Sequence, residues 1–287
     1  MNYAVSVALN KVFQDAIKHI NVSVIKYIMP NSDILKSLVE EIRFTLRVSE
    51  YLQRVTEAGL PLTVPDISSD KYELIGIYNP FLIGKKSAGD IILNNIAFDE
   101  NARIYILTGA NNGGKSIFTI AIGITQRLLQ CGIPIPAKKA TMTVCDFILP
   151  YVPLGDTDAN QVDMIKKSAG RLETEVKAVM GIIELATARS LVLMDEAFTS
   201  TSESDAVELA KSALIKLGNT GCKCVFTTHL HRLVADTEEI NSKMPTGIKV
   251  DNLSAEVVEG KRTYRISRTK PQGSSYAKDI ASKYGLL

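Results

Sequence analysis

Residues 108–118 read TGANNGGKSIF. They follow ARIYIL (102–107), an apolar run of strand character, and open a segment whose apolar residues recur at helical spacing. Gly109, Gly114, Lys115 and Ser116 satisfy the pattern G-x-x-x-x-G-K-[ST]. With Asn111, Asn112 and Gly113 they form a loop whose backbone N–H groups can turn inward around a cluster of anionic oxygens. Lys115 is placed to reach terminal phosphates, and Ser116 to ligate Mg²⁺. The strand before the loop and the helix after it are the setting this motif requires.

About eighty residues downstream lies SLVLMDEAFTSTSESD (190–205). Its apolar run reads as a buried strand ending in two carboxylates, Asp195 and Glu196. Seen alone, a tandem acid pair at a strand end is a solvated turn. After a phosphate loop it reads as the second half of one site, because strand ends of a parallel sheet open on the same side. Asp195 would hold the hydration shell of Mg²⁺, and Glu196 would orient or deprotonate the attacking water. His229 ends a third apolar run, VFTTHLHRL (225–233). A histidine there is ordinarily a surface or capping group, but this position also suits contact with a γ-phosphate or its water. His231 is the weaker candidate.

Composition limits what surrounds these motifs. With 287 residues and 46% hydrophobic content, the chain can bury a sizeable core in one large or two modest domains. No uninterrupted apolar run reaches the ~20 residues of a membrane span, and the N-terminus lacks a cleavable signal pattern, so the expected compartment is the cytoplasm with no membrane contact. A net charge of +2 does not by itself imply a nucleic-acid partner. The four cysteines form no paired metal framework.

The texture of the chain changes near residue 64. Before it, Val5, Leu9, Val12, Phe13, Ala16, Ile17 and Ile20 repeat at three and four until Pro30 interrupts. A second stripe, Leu35, Leu38, Val39, Ile42 and Leu46, predicts a helix from Asp33 to Ala58, with Ser32 as N-cap and Gly59 then Pro61 as the stop. The expectation is a helical hairpin over 1–64. Beyond it, apolar runs alternate with helical stretches at 116–130, 170–189 and 203–217, which predicts an α/β fold with a mainly parallel sheet flanked by helices over 65–287.

Several of these stretches resemble one family. TGANNGGKS is similar to the phosphate loop of the MutS DNA mismatch-repair ATPases, IPIPAKKATM (133–142) to the segment that follows it, and SLVLMDEAFTSTSESDA to their Asp-Glu strand. FTTHL (226–230) resembles their histidine switch, and PQGSSYAKDIASKYGL (271–286) their closing Ser-Tyr helix. The order and spacing agree from about Tyr72 to Leu287. The N-terminal helices correspond to the family's lever region by position and helicity only.

The resemblance implies a P-loop ATPase of the ABC type that binds ATP and Mg²⁺. Two such domains meet head to tail, as a homodimer or with a MutS-like partner, and each nucleotide is closed by the partner's signature loop. That loop falls at KKSAGRLETEV (166–176), where Ser168 and Gly170 would approach the partner's γ-phosphate from a helix N-terminus. DNA would be the partner of the full-length protein, with a nucleoid association if the source is bacterial. The chain departs from the family at the signature, where Ser-Thr-Phe is expected, and after Glu196, where Phe198-Thr199-Ser200 replaces Gly-Arg-Gly. It reads as a fragment of a longer MutS-like protein or as a divergent member. A transporter subunit would carry L-S-G-G-Q before the Asp-Glu strand, and the chain does not. An ATPase with coiled-coil arms needs more than the interval from Lys115 to Asp195. A nucleotide-binding switch with little turnover remains the alternative of a different class.

Overall fold

The computed structural model describes residues 3–152, 164–258 and 260–268. The closing Ser-Tyr segment therefore lies outside the described residues. By contact the chain divides into two compact units, Met1–Arg54 and Val55–Leu287.

The first unit is helical, as its periodicity predicts, but the hairpin does not form. Helix α1 (Tyr3–Ser23) passes through a π-helical stretch, Val24–Ile28, into α2 (Met29–Glu57), and no turn separates them. Proline explains how this is possible. Pro30 is the second residue of α2, directly after the π-helical stretch, so the missing backbone donor falls where the helical pairing changes. Proline is a recurrent cause of a disturbed helical ladder, and here the ladder shifts to π-helical pairing just before it. Phe13, Ile17 and Ile20 on α1 and Leu35, Leu38 and Ile42 on α2 are exposed. No described helix is long and apolar enough to cross a membrane.

The second unit holds two sheets. Its first strands are β1 (Asp66–Ile67), β2 (Tyr72–Ile77), β3 (Asn94–Phe98) and β4 (Ile104–Gly109), followed by α3 (Lys115–Gln130), β5 (Lys139–Met142) and β6 (Ile148–Tyr151). Then come α4 (Met164–Leu185), β7 (Leu191–Asp195), α5 (Glu203–Thr220), β8 (Lys223–Thr227), α6 (His231–Ala235), α7 (Thr237–Ser242), β9 (Val250–Val258) and β10 (Lys261–Ser267). The larger sheet has the order β10-β9-β4-β8-β7-β6. All its neighbours are parallel except β9 and β10, which form an antiparallel edge. The smaller sheet, β1-β5-β2-β3, is antiparallel apart from the β1–β5 pair. The mainly parallel expectation thus holds for the larger sheet alone. Between β2 and β3 the chain has short 3-10 turns, 80–82 and 88–90, in place of the helix that usually joins parallel strands.

Alternation along the central strands builds two cores. Tyr105 and Leu107, Leu191 and Leu193, and Val225 face α3 and the smaller sheet, where Tyr72 and Phe98 meet edge to face at 5.3 Å. Ile104 and Ile106, Val192 and Met194, and Cys224 and Phe226 face the opposite cluster with α5 and α6. Residues on both faces of these strands are thus withdrawn from water, which is why they read as unbroken apolar runs. Helix α5 is set at both ends: the Ser202 hydroxyl accepts the Asp205 N–H, and Gly221 closes the C-terminus in the left-handed region. Register then fixes the site, because Leu107 on β4 and Asp195 on β7 both lie opposite Thr227 on β8. The loops leaving these three strands emerge at one edge.

Candidate functional site

The loop between β4 and α3 makes a tight reversal. Gly109, Asn112 and Gly114 all have positive φ, at 131°, 58° and 95°. A side chain on Gly109 would stand 2.7 Å from the Ala255 methyl of β9 and 3.0 Å from the Ala255 backbone N and O, so the strand approach itself requires glycine. Gly114 is the N-cap of α3, and its left-handed conformation directs the chain into the helix. A cavity of about 700 Å³ opens above the loop and is lined by all of Asn111, Asn112, Gly113, Gly114, Lys115 and Ser116, and by Glu196 from beyond β7. The loop, the helix N-terminus and a carboxylate therefore share one space.

Lys115 is 4% exposed. Its Nζ donates to the carbonyl oxygens of Gly109 at 2.9 Å and Ala110 at 3.3 Å. Burial pulls its pKa down, while Glu196 and Asp195 pull it up. The ammonium is held desolvated among acceptors, which strengthens its attraction for an anion brought into the same space.

Asp195 shows the opposite imbalance. Burial pushes its carboxyl above the usual range; the Ser116 hydroxyl and the Lys115 ammonium draw it down, and Glu196 adds to the rise. Its Oδ1 is buried and meets no hydrogen-bond donor among the described residues. A buried carboxylate oxygen without a donor, beside a serine hydroxyl, is a hard oxygen set of the kind that Mg²⁺ takes together with water and phosphate. These residues fit that ion.

Glu196 and Phe198 have left-handed backbones, with φ of 49° and 65°. Each such non-glycine residue carries strain of ~1–3 kcal/mol. The Glu196 N–H donates to the Thr227 carbonyl at 2.9 Å, joining the ends of β7 and β8. Below this junction the Thr119 hydroxyl of α3 and the Thr227 hydroxyl of β8 are hydrogen-bonded at 2.9 Å in a buried setting. Helix α3 and the acid-bearing edge are thus locked to each other.

The remaining sequence candidates lie elsewhere. His229 stands exposed in a bend after β8 and does not line the cavity, and His231 is exposed at the start of α6. Ser168 and Gly170 belong to α4, which begins at Met164, so they sit in the helix rather than at its first residues. Gly170 is exposed, and among the described residues a Cβ added there would meet nothing within 4 Å.

The cavity also recruits residues that no motif marks. Asn79, 4% exposed, accepts the Phe81 N–H at 3.0 Å and donates to the Ile117 carbonyl at 3.4 Å, pinning the first turn of α3. Tyr264 lies on a bulge of β10 with φ of 58°, held by Asn94, which donates to the Tyr264 carbonyl at 3.1 Å and accepts the Ile266 N–H at 2.8 Å. Its ring flanks Gly114, and the Lys86 ammonium lies 4.5 Å from the ring centre. Only the Asn-Pro turn around Asn79 leaves a trace in the sequence. The Tyr264 bulge needs three-dimensional pairing to be seen.

Comparison with known proteins adds an independent line. The family profile described as MutS domain V matches residues 105–286. Endonuclease MutS2 of Streptococcus uberis is 30% identical over 226 residues, covering 78% of this chain and 27% of its own length. Endonuclease MutS2 of Streptococcus agalactiae serotype Ia is 29% identical over 261 residues, covering 89% of this chain and 31% of its own. The chain thus spans between a quarter and a third of the length of these relatives.

Proposed function

Since the chain belongs to the MutS family, we propose that it is a Mg²⁺-dependent ATPase module that works as a head-to-tail dimer within a DNA-repair or related DNA transaction. The observation that carries the reading is the meeting of the two motifs: Lys115 and Glu196 line one cavity, and Asp195 stands against Ser116.

The chain's own groups divide the work. Backbone N–H groups from Gly114 to Ser116, at the N-terminus of α3, would donate to phosphate oxygens with the dipole in their favour. Lys115 would exchange its two carbonyl partners for β and γ oxygens. Ser116 and Asp195 would hold Mg²⁺, which when bound supplies charge neutralisation across the phosphates. Glu196 would orient the attacking water and take its proton on a carboxylate oxygen. Preorganisation of these groups lowers the barrier, because they need not reorient as charge develops. Dimerisation is supported by family membership. DNA as the partner of the longer protein rests on the family alone.

Two substitutions test the nucleotide site. Lys115→Ala should abolish tight Mg-ATP binding in calorimetry, because backbone amides alone do not neutralise the β and γ charge; parental affinity would remove the phosphate-loop assignment. Glu196→Gln should bind Mg-ATP normally and turn it over at least ~100-fold more slowly, since an amide keeps the shape but accepts no proton. A parental rate in that variant would take Glu196 out of the chemistry. The dimer is tested by specific activity, expected to rise with protein concentration until association saturates. Gly170→Leu, whose Cβ meets open space among the described residues, should suppress that rise without weakening ATP binding.

A further inference from the structure

The six residues from Asp195 to Ser200 leave β7 in a conformation that their side chains oppose. Glu196 and Phe198 are both left-handed, with a single residue between them. For an aromatic residue this backbone region is a genuine outlier, so surrounding structure has to impose it. Two anchors do so. On one side the Glu196 N–H is bonded to the Thr227 carbonyl. On the other, the Phe198 ring is 3% exposed, buried in the cluster built by β4, β7, β8 and α5, with Ala197 at 2% beside it. A long contact of 3.5 Å from the Thr199 hydroxyl to Glu175 of α4 follows directly. Between the anchors, the Glu196 side chain is presented to the cavity.

We propose that Phe198 is a positioning residue for Glu196: its buried ring holds the strained turn and so fixes the carboxylate against the phosphate loop. Phe198 does not line the cavity, and its influence runs through the backbone of 196–198. This rests on the reading of Glu196 as the group that activates water. With the ring in the core, the turn has one arrangement. With the ring removed but a Cβ retained, the Glu196–Thr227 bond is the one of the two anchors left; residue 198 can then relax toward negative φ and shift the carboxylate with it. Displacements of about 1 Å in a reacting group can cost about a hundredfold in rate, so even partial relaxation is measurable.

The test compares Phe198→Ala, Phe198→Gly and Phe198→Leu in the full chain, each with and without Glu196→Gln, by ATP turnover at saturating protein and by Mg-ATP affinity. Phe198→Ala should lose at least ~10-fold in kcat with affinity within about twofold of the parent, because the phosphate loop is untouched. Phe198→Leu should recover most of the rate by refilling the core. Phe198→Gly should lie between Leu and Ala, since glycine adopts the left-handed turn without strain although the anchor is gone. In the Glu196→Gln background Phe198→Ala should cause no further loss, which a merely structural role would not produce. If Phe198→Ala does not fold, the Gly and Leu variants carry the same comparison in both backgrounds. A parental kcat in the Ala or Gly variant, or equal losses in both backgrounds, overturns the proposal while leaving the hydrolysis reading intact. A parent chain that binds ATP but never turns it over overturns that reading and this proposal together.

Discussion

Two loops meet at the cavity, and both run through left-handed backbone, but by different means. The loop after β4 does so at Gly109, Asn112 and Gly114. Glycine enters that region without a steric penalty, and asparagine tolerates it. The loop after β7 does so at Glu196 and Phe198. Nothing in those side chains favours the conformation, so packing and the bond to Thr227 have to enforce it. One loop is shaped by its own residues and the other by its surroundings. The first should respond to side chains added at its glycines, most of all at Gly109, and the second chiefly to changes in the core beneath it.

The sharpest way to break this contrast is to add side chains to the phosphate loop. Gly109→Val places a branched side chain against the Ala255 backbone at 3.0 Å, at a φ of 131°. Loss of at least ~3 kcal/mol in thermal or denaturant unfolding is expected, because β4 and β9 would have to separate. A parental melting temperature would show that the close strand approach is not required. Gly114→Ala is milder. Its Cβ would meet Tyr264 at 3.4 Å, an ordinary contact, so the cost is backbone strain at a φ of 95°. We expect ~1 kcal/mol, or about 2–4 °C in melting temperature for a unit of this size, together with weakened Mg-ATP binding. An unchanged melting temperature and affinity would mean that the loop relaxes freely, and the contrast with Phe198 would fail.

The same contrast explains which parts of the molecule are legible in its sequence. Gly109, Gly114, Lys115 and Ser116 are legible because local chemistry leaves few alternatives at a phosphate loop. The strands β4, β7 and β8 are legible from their unbroken apolar runs, which follow from burial on both faces. Asp195 and Glu196 can be placed at a strand end, but the left-handed turn beyond them cannot, because Phe198 gives no local signal for it. The smaller antiparallel sheet escapes a local reading because its strands pair at long range, as in β2 with β5 and β3. His229 is suggested by a strand-end position that leaves the direction of its side chain open. The N-terminal stretch reads correctly as helix and wrongly as a hairpin, since Pro30 marks a disturbance and a π-helical turn absorbs it without reversing the chain.

Asp195 offers the smallest and most diagnostic effect, because the acid loop holds a charge that folding alone does not satisfy. Burial raises its carboxyl above the usual value of 3.8, so the folded chain disfavours the ionised form. The penalty is absent at low pH, where folded and unfolded chains are both protonated. It grows as pH rises past the ordinary carboxylate range and is complete above the raised folded value. Asparagine keeps the shape and does not titrate. Without ligand, Asp195→Asn should therefore be more stable than the parent at neutral pH, with the difference shrinking as pH falls toward 3.8. Mg-ATP should reverse the order, stabilising the parent through a carboxylate that the variant lacks. Melting curves across this range, with and without Mg-ATP, measure both effects. If Asp195→Asn is the less stable protein at neutral pH without ligand, the charge is already satisfied by the chain, and the acid loop is not poised for a cation.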